Sequence, residues 1–307
     1  MRGWWQDLTD LVLPAECGGC GRPRAVLCPE CRAVLLGTAP RRVRPEPEPA
    51  GLPVVHAVAP YEGAVRATLL AHKERGVLTL ARPLGAALAG AVRAGLGGAV
   101  RAGLGGAGAA NRWPMADGGS GPSGNGGGPG PVLLVPVPSS RRAVRARGHD
   151  PARRIALAAA GELRRTGTAA RVVALLRQQR AVADQSGLSS RQRLVNLAGA
   201  LEVAAGGARL LAGGRVVLVD DLMTTGASLA EAARAVRTAL GVAEMADTDV
   251  YTCAAGEATG EQRTVETAAA ARRTGAPHGI AAGNGVGEWI CAAVVAAPLD
   301  SFEMNRN

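Results

Sequence analysis

The stretch Val216-Val-Leu-Val-Asp220-Asp221-Leu-Met-Thr224-Thr225-Gly226-Ala227-Ser228 decides the reading of this 307-residue chain. Its first four residues are aliphatic, too few for a helix, and bounded by Gly213-Gly214 and two aspartates, so they predict a buried parallel strand. A helix is predicted from about Ser228 to Leu240. Between strand and helix lie two adjacent carboxylates and a run of small hydroxyl residues. Open α/β sheets bind ligands beyond the carboxyl ends of their strands. Backbone N–H groups and the positive end of a helix suit a phosphate there, and Gly226 lets the backbone approach one closely. The acid pair then lies beyond the phosphate, within reach of the hydroxyls of an attached sugar.

Working outward, the same alternation of strand, loop and helix recurs. Val132 to Val137 predicts a strand whose Pro136 and Pro138 confine it to a strand end or edge. A basic loop with Arg141, Arg142, Arg145 and Arg147 follows, and Asp150-Pro151 then opens a helix through Arg164. His149, one histidine in a loop, reads as a cap or surface residue rather than a general base. Val172 to Leu176 predicts a short strand, and the polar stretch Arg177 to Asn196 a mobile loop. Nearer the N-terminus, Val54 to Pro60 predicts a strand, Tyr61 to Arg75 a basic helix and Pro83 to Arg93 an alanine-rich one; Ile290 to Ala297 predicts the last strand. This order implies an α/β fold, a parallel sheet flanked by helices.

Two regions resist that pattern. The glycine-rich segment near 95–130, in which RAGLGGA occurs from Arg93 and again from Arg101, buries too little apolar area to offset its ordering entropy and reads as a disordered insertion. Residues 256–287 read as a second one, and the proline-rich stretch 41–53 as a linker between a module at 1–40 and a main domain at 54–307.

The N-terminal module is defined by Cys17, Cys20, Cys28 and Cys31, two Cys-x-x-Cys pairs separated by seven residues. Thiolates at this spacing turn two short loops toward one tetrahedral ion, which predicts a closed structural Zn²⁺ site. The alternative of two disulfides or plain structural thiols fits a cytoplasmic chain poorly. Trp4 and Trp5 are expected to pack on this knuckle, and Cys253 and Cys291 to be buried on strands.

Composition excludes several classes. Net charge is +10, which favours anionic partners, but only Lys73 among the 35 basic residues is lysine, so arginine abundance is a chain-wide bias and weak evidence for nucleic acid. An aromatic content of 2% leaves few rings for stacking single-stranded bases. No uncharged apolar window is long enough to span a bilayer, and Glu16 before Cys17 spoils a lipoprotein-like start, so the chain reads as cytoplasmic.

The Val216–Ser228 segment resembles the phosphoribosyl-pyrophosphate (PRPP) motif of type I phosphoribosyltransferases. The resemblance implies that Asp220 and Asp221 contact the ribose 2′- and 3′-hydroxyls, that Thr224, Thr225, Gly226, Ala227 and Ser228 cradle the 5′-phosphate, and that Mg²⁺ accompanies PRPP. With Val135-Pro-Val-Pro-Ser-Ser-Arg141-Arg142, Arg147-Gly148 and Asp184-Gln185-Ser-Gly-Leu-Ser-Ser-Arg191-Gln-Arg193-Leu-Val-Asn196 behind a cysteine knuckle, the chain resembles the ComF family. By that resemblance Arg141, Arg142 and Arg147 face the pyrophosphate, and the stretch with Gln185 and Arg193 is a flexible loop that closes over the ligand. Where familiar members carry Arg-Gly-Phe-Asn-Gln, this chain has Arg147-Gly148-His149-Asp150-Pro151, and any role of the Asn-Gln pair does not carry over. Two functions follow as expectations: an enzyme transferring phosphoribosyl from PRPP to an unnamed acceptor, or a ComF-type accessory protein for DNA uptake and recombination that binds single-stranded DNA or uptake proteins.

Overall fold

Short aliphatic runs, apolar on both faces, form the sheet at the centre of the chain. The computed structural model describes residues 16–103, 130–180, 182, 189–253 and 290–303. Six strands, β1 (Arg41–Val43), β2 (Val54–Pro60), β3 (Val132–Pro136), β4 (Ala170–Val172), β7 (Arg215–Leu222) and β8 (Cys291–Ala297), stand in the order β1-β2-β8-β7-β3-β4. All neighbours run parallel except the β1/β2 edge. A separate antiparallel pair joins β5 (Leu176–Gln178) to β6 (Leu201–Val203).

Strand residues alternate between two buried clusters, as a sheet covered on both faces requires. Val217 and Val219 pack with Leu134, Ala293 and Val295 beneath α2 (Gly63–Lys73), α3 (Ala81–Gly103) and α5 (Pro151–Arg165). Val216 and Leu218 pack with Leu133, Val135 and Val294 beneath α7 (Gly207–Ala212) and α8 (Ala227–Cys253). The remaining helices are α1 (Pro29–Leu36), α4 (Arg141–Arg147), α6 (Ser190–Leu197) and α9 (Asp300–Glu303).

Connectivity places a crevice. From β3 the chain passes through α5 to β4, on one side; from β7 it passes through α8 to β8, on the other, and these helices cover opposite faces. The two paths diverge between β3 and β7, and it is at such a switch point that α/β sheets receive ligands, at the carboxyl edge of the strands.

Several expectations change. Arg41–Val43 of the supposed linker pairs with β2 as an edge strand, anchored by buried Val43, a segment too short to show a period. α3 runs past the predicted end at Arg93 to Gly103, and just beyond that end Gly95 still faces His56 of β2 and Cys291 of β8. Residues 104–129, the second insertion, Trp4 and Trp5 lie outside the described residues. The basic loop is the helix α4, capped by Ser140, whose Oγ accepts from the Ala143 N–H at 3.2 Å, and ended by Gly148 at φ 75°. Val172 to Leu176 is not one strand: β4 ends where the chain leaves the sheet, and β5 begins at Leu176. The polar stretch 177–196 carries β5 at one end and at the other α6, opened by a Ser189–Gln192 capping box. Cys253 closes α8 rather than lying on a strand.

The small residues are structural where α3 crosses α5. A Cβ on Gly85 would overlap the Ala158 side chain and lie 2.8 Å from the Ala158 carbonyl carbon. Gly85→Val is expected to destabilise the fold by about 1–3 kcal/mol through overpacking. Gly161→Ala, where a Cβ meets nothing within 4 Å, should stabilise α5 by about 0.5–1 kcal/mol. Urea denaturation of both variants checks the pair of signs.

Candidate functional site

Because successive strand residues face opposite sides, the two aspartates at the end of β7 part company. Asp221 follows Val219 toward α2 and is 4% exposed. There Lys73 meets it, Nζ standing 2.9 Å from Oδ2 and 3.2 Å from Oδ1. Asp220 is half-buried, accepts the Asp221 N–H at 2.8 Å, and lines a shallow pocket with Thr224, Thr225, Gly226 and Ser228. Burial, and then the neighbouring Asp221, push the Asp220 carboxyl well above its ordinary range. Burial alone would pull the Lys73 ammonium down, but the charges of Asp221 and Asp220 outweigh it and leave the group above its ordinary 10.5.

The loop after β7 is fixed at both ends. The Met223 N–H donates to the Ala296 carbonyl at 3.0 Å, tying the loop to β8, and the Ala230 N–H donates to Gly226 at 2.9 Å, opening α8. Thr225 Oγ1 lies 3.5 Å from the Ala227 amide. Gly226 is required on two counts. Its φ is +74°, and a Cβ there would lie 3.1–3.3 Å from Leu52 and Pro45. The close approach that glycine allows is therefore to the 45–52 strap, which Arg237 also holds through the Gly51 carbonyl at 2.8 Å.

The arginines divide. Arg141 and Arg142 are exposed on the first turn of α4, beyond β3, which runs beside β7 with Pro136 opposite Val219. Arg147 is engaged elsewhere: its Nε and Nη2 donate to both carboxylate oxygens of Glu74 at 2.9 and 2.8 Å. Arg193, on α6, points its Nη1 at Thr224 Oγ1, 3.4 Å away. Gln185 lies outside the described residues.

His149 is neither cap nor surface. It is 7% exposed, its ring nitrogens standing 3.1 Å from the Arg147 carbonyl and 3.2 Å from that of His72, while Asp150 caps α5 by accepting the Arg153 N–H. Three successive residues at the end of α2 thus hold three parts of the site: the His72 carbonyl takes His149, Lys73 takes Asp221, and Glu74 takes Arg147. Lys73 was the residue that sequence reasoning left out of the site; its one signal was being the single lysine in an arginine-rich chain.

The cysteines converge. The sulfurs of Cys17, Cys20, Cys28 and Cys31 all lie within 4.8 Å of one another, and Cys20 and Cys28 Sγ are 3.6 Å apart. A tetrahedral zinc with bonds of about 2.3 Å needs sulfur separations of about 3.8 Å, so the set fits a closed structural site. The Cys28 N–H donates to Cys17 Sγ at 3.3 Å, the support expected around a thiolate ligand. Burial works against the Cys17 thiolate, yet the N–H groups of Cys28, Cys20 and Gly19 bring its pKa down to about 6. Burial and the other three cysteines push Cys31 far up, a conflict that a divalent cation relieves. The cluster rests on α2 and the turn after it, Gly18 against Ala71 and Leu80 and Gly19 against Thr68.

No protein-family model matches the chain, and no curated protein matches it in sequence.

Protein purified without chelators should carry about one equivalent of zinc, read by elemental analysis, and Cys31→Ser should lose most of it and lower the melting temperature. Lys73→Met should cost about 1–3 kcal/mol, below the 3–5 typical of a fully buried pair because Lys73 keeps 31% of its side chain exposed. Adding Asp221→Asn should recover part of the loss. Lys73 has a raised pKa, so its contribution is complete below pH 10.5 and disappears as pH rises through the folded value. The stability gap between wild type and Lys73→Met, measured by urea titration at pH 8 and 11.5, should accordingly narrow at the higher pH.

Proposed function

We propose that this chain binds PRPP at the carboxyl edge of its sheet and is a type I phosphoribosyltransferase-like protein of the ComF kind. The observation that carries the reading is one pocket in which an acid from a central parallel strand meets a hydroxyl loop and the start of a long helix, at the switch point between β3 and β7. Each part has a matching ligand group. Thr224, Thr225, Ser228 and the amides opening α8 suit the 5′-phosphate, and Asp220 beyond them suits a ribose hydroxyl. Asp221 acts one step back: salt-bridged to Lys73, it presents the ammonium at the same edge.

Transfer from PRPP breaks the bond between the anomeric carbon and the pyrophosphate oxygen as an acceptor nucleophile forms its own bond there. Charge gathers on the departing diphosphate, which cations stabilise. Arg141 and Arg142 stand exposed at the same edge for that purpose, whereas Arg147 is occupied by Glu74. Mg²⁺, a hard cation suited to carboxylate and phosphate oxygens, would add to this neutralisation, with Asp220 the carboxylate of the pocket that could hold it.

A second reading, a ComF-type accessory protein in DNA uptake, draws on the exposed Arg141, Arg142 and Arg145 of α4 together with the cysteine cluster. Salt dependence separates the two, since neutralising several backbone phosphates gives a steep slope of affinity against salt.

Calorimetric titration of PRPP with Mg²⁺ should show binding to wild type, and Asp220→Asn should weaken it about tenfold to a hundredfold by removing a charged hydrogen bond. Gly226→Val should abolish it, because valine fits neither the φ nor the space left by Leu52 and Pro45. Absence of wild-type binding at millimolar PRPP, alongside tight and salt-sensitive binding of single-stranded DNA, would overturn the first reading in favour of the second.

A further inference from the structure

By the family resemblance the stretch with Arg193 closes over the ligand; the structure brings this cation, from α6, to Thr224 of the hydroxyl loop after β7. The helix is anchored, not free. Its first turn is closed by the Ser189–Gln192 box, and the carbonyls of Asn196 and Ala198 at its end accept from Arg180 Nη2 at 2.9 and 2.8 Å. The segment after it is tied to α8 through Glu231, which accepts the Leu201 N–H at 2.9 Å, and Arg234, which donates to the Leu201 carbonyl at 2.8 Å. This scaffold sets Arg193 over the start of α8.

Arg193 is under-used there. A guanidinium carries five donors and no acceptor. Its guanidinium makes the long 3.4 Å contact with Thr224 Oγ1, and its Nε is shut off from solvent with no partner among the described residues. Among the described residues no carboxylate comes within ion-pair distance of it. A shielded donor without an acceptor is costly, and the cation also stands beside Thr224 at the loop that leads into the positive end of a long helix. Two positive ends brought together around a hydroxyl loop are balanced by an anion between them. The neighbouring arginines contrast with it: Arg147 and Arg234 each meet a carboxylate.

We propose that Arg193 closes the phosphate site from above, clamping the terminal phosphate monoester of the ligand against Thr224–Ser228, rather than serving the pyrophosphate. The inference rests on the PRPP reading and deepens it. A planar guanidinium reads a dianionic phosphate through paired N–H groups, which a lysine ammonium does not reproduce. The site would thereby select a ligand ending in a phosphate monoester over one presenting a phosphodiester.

The test is calorimetric titration of ribose 5-phosphate and, separately, inorganic pyrophosphate with Mg²⁺ into full-length wild type, Arg193→Gln, Arg193→Lys and Arg191→Gln, the last an exposed neighbour on α6. Arg193→Gln should weaken ribose 5-phosphate about tenfold or more and leave pyrophosphate within about twofold, with Arg193→Lys between and Arg191→Gln unchanged. A phosphate monoester takes up its second proton near pH 6, so wild-type affinity for ribose 5-phosphate should fall between pH 7.5 and 5.5. In Arg193→Gln that fall should be shallower, which a merely structural role would not produce. If Arg193→Gln is insoluble, the lysine variant carries the same comparison. Unchanged ribose 5-phosphate affinity in Arg193→Gln, or a larger loss for pyrophosphate, overturns the clamp and leaves the PRPP reading standing. Failure of wild type to bind either PRPP or ribose 5-phosphate sinks that reading, and the clamp with it.

Discussion

Two carboxylates side by side at the end of a strand covered on both faces are an electrostatic problem, and the Lys73–Asp221 pair is what answers it. Left alone, Asp221 would be a buried charge beside a second acid, a situation costing several kcal/mol unless the charge is neutralised or paired. Lys73 comes from 148 positions away in sequence, so the pairing specifies where α2 must lie against the sheet. Other contacts inherit that placement. His149 and Arg147 bond to the residues flanking Lys73, which seats the α4–α5 junction, and the four-cysteine cluster packs on Ala71 and Thr68 of the same helix. The four-cysteine cluster and the pocket after β7, which share no residue, are thereby joined through one short helix.

Pairing also separates the acids chemically. Asp221 is committed to Lys73, while Asp220 keeps a free edge in the pocket and a carboxyl pushed upward by burial and its neighbour. Adjacent residues of identical type acquire different roles purely from strand alternation. The strap over Gly226 works in the same spirit: Leu52 and Pro45 fill the volume a side chain would take, so the left-handed turn into α8 is enforced by packing as well as by backbone freedom.

Much of this was legible because the informative segments are short and locally unambiguous. The predicted strands at 54–60, 132–137 and 290–297 became β2, β3 and β8; β3 and β8 are apolar runs buried on both sides, while β2 at the edge of the parallel set keeps Val54 exposed and His56 half-buried. Asp150-Pro151 opened α5 by ordinary capping chemistry, and the cysteine spacing brought four sulfurs together. What escaped was set by tertiary contact. Three residues of β1 carry no period; α4 is a seven-residue helix whose basic composition resembled a loop. α3 outran its predicted end because glycine in a helix is penalised only modestly when the face beneath it is packed. His149 was misjudged because nothing local reveals a carbonyl 77 positions upstream.

The charge layout of the site bears on which partner it can accept. The start of α8 and Arg193 lie at the hydroxyl loop and the exposed arginines of α4 follow β3 at the same edge of the sheet, but Asp220 sits within the pocket. A continuous polyanion laid across this edge would gain from the former alone, since a carboxyl offers it no counter-charge whether or not it is ionised. A ligand that ends in a phosphate and then presents hydroxyls gains from both. Net charge alone does not choose the partner: the +10 of the chain suits any polyanion, and it is the local alternation of cation, hydroxyl and carboxylate that underlies the proposal of a small phosphorylated sugar, a distinction that a site makes and a composition does not.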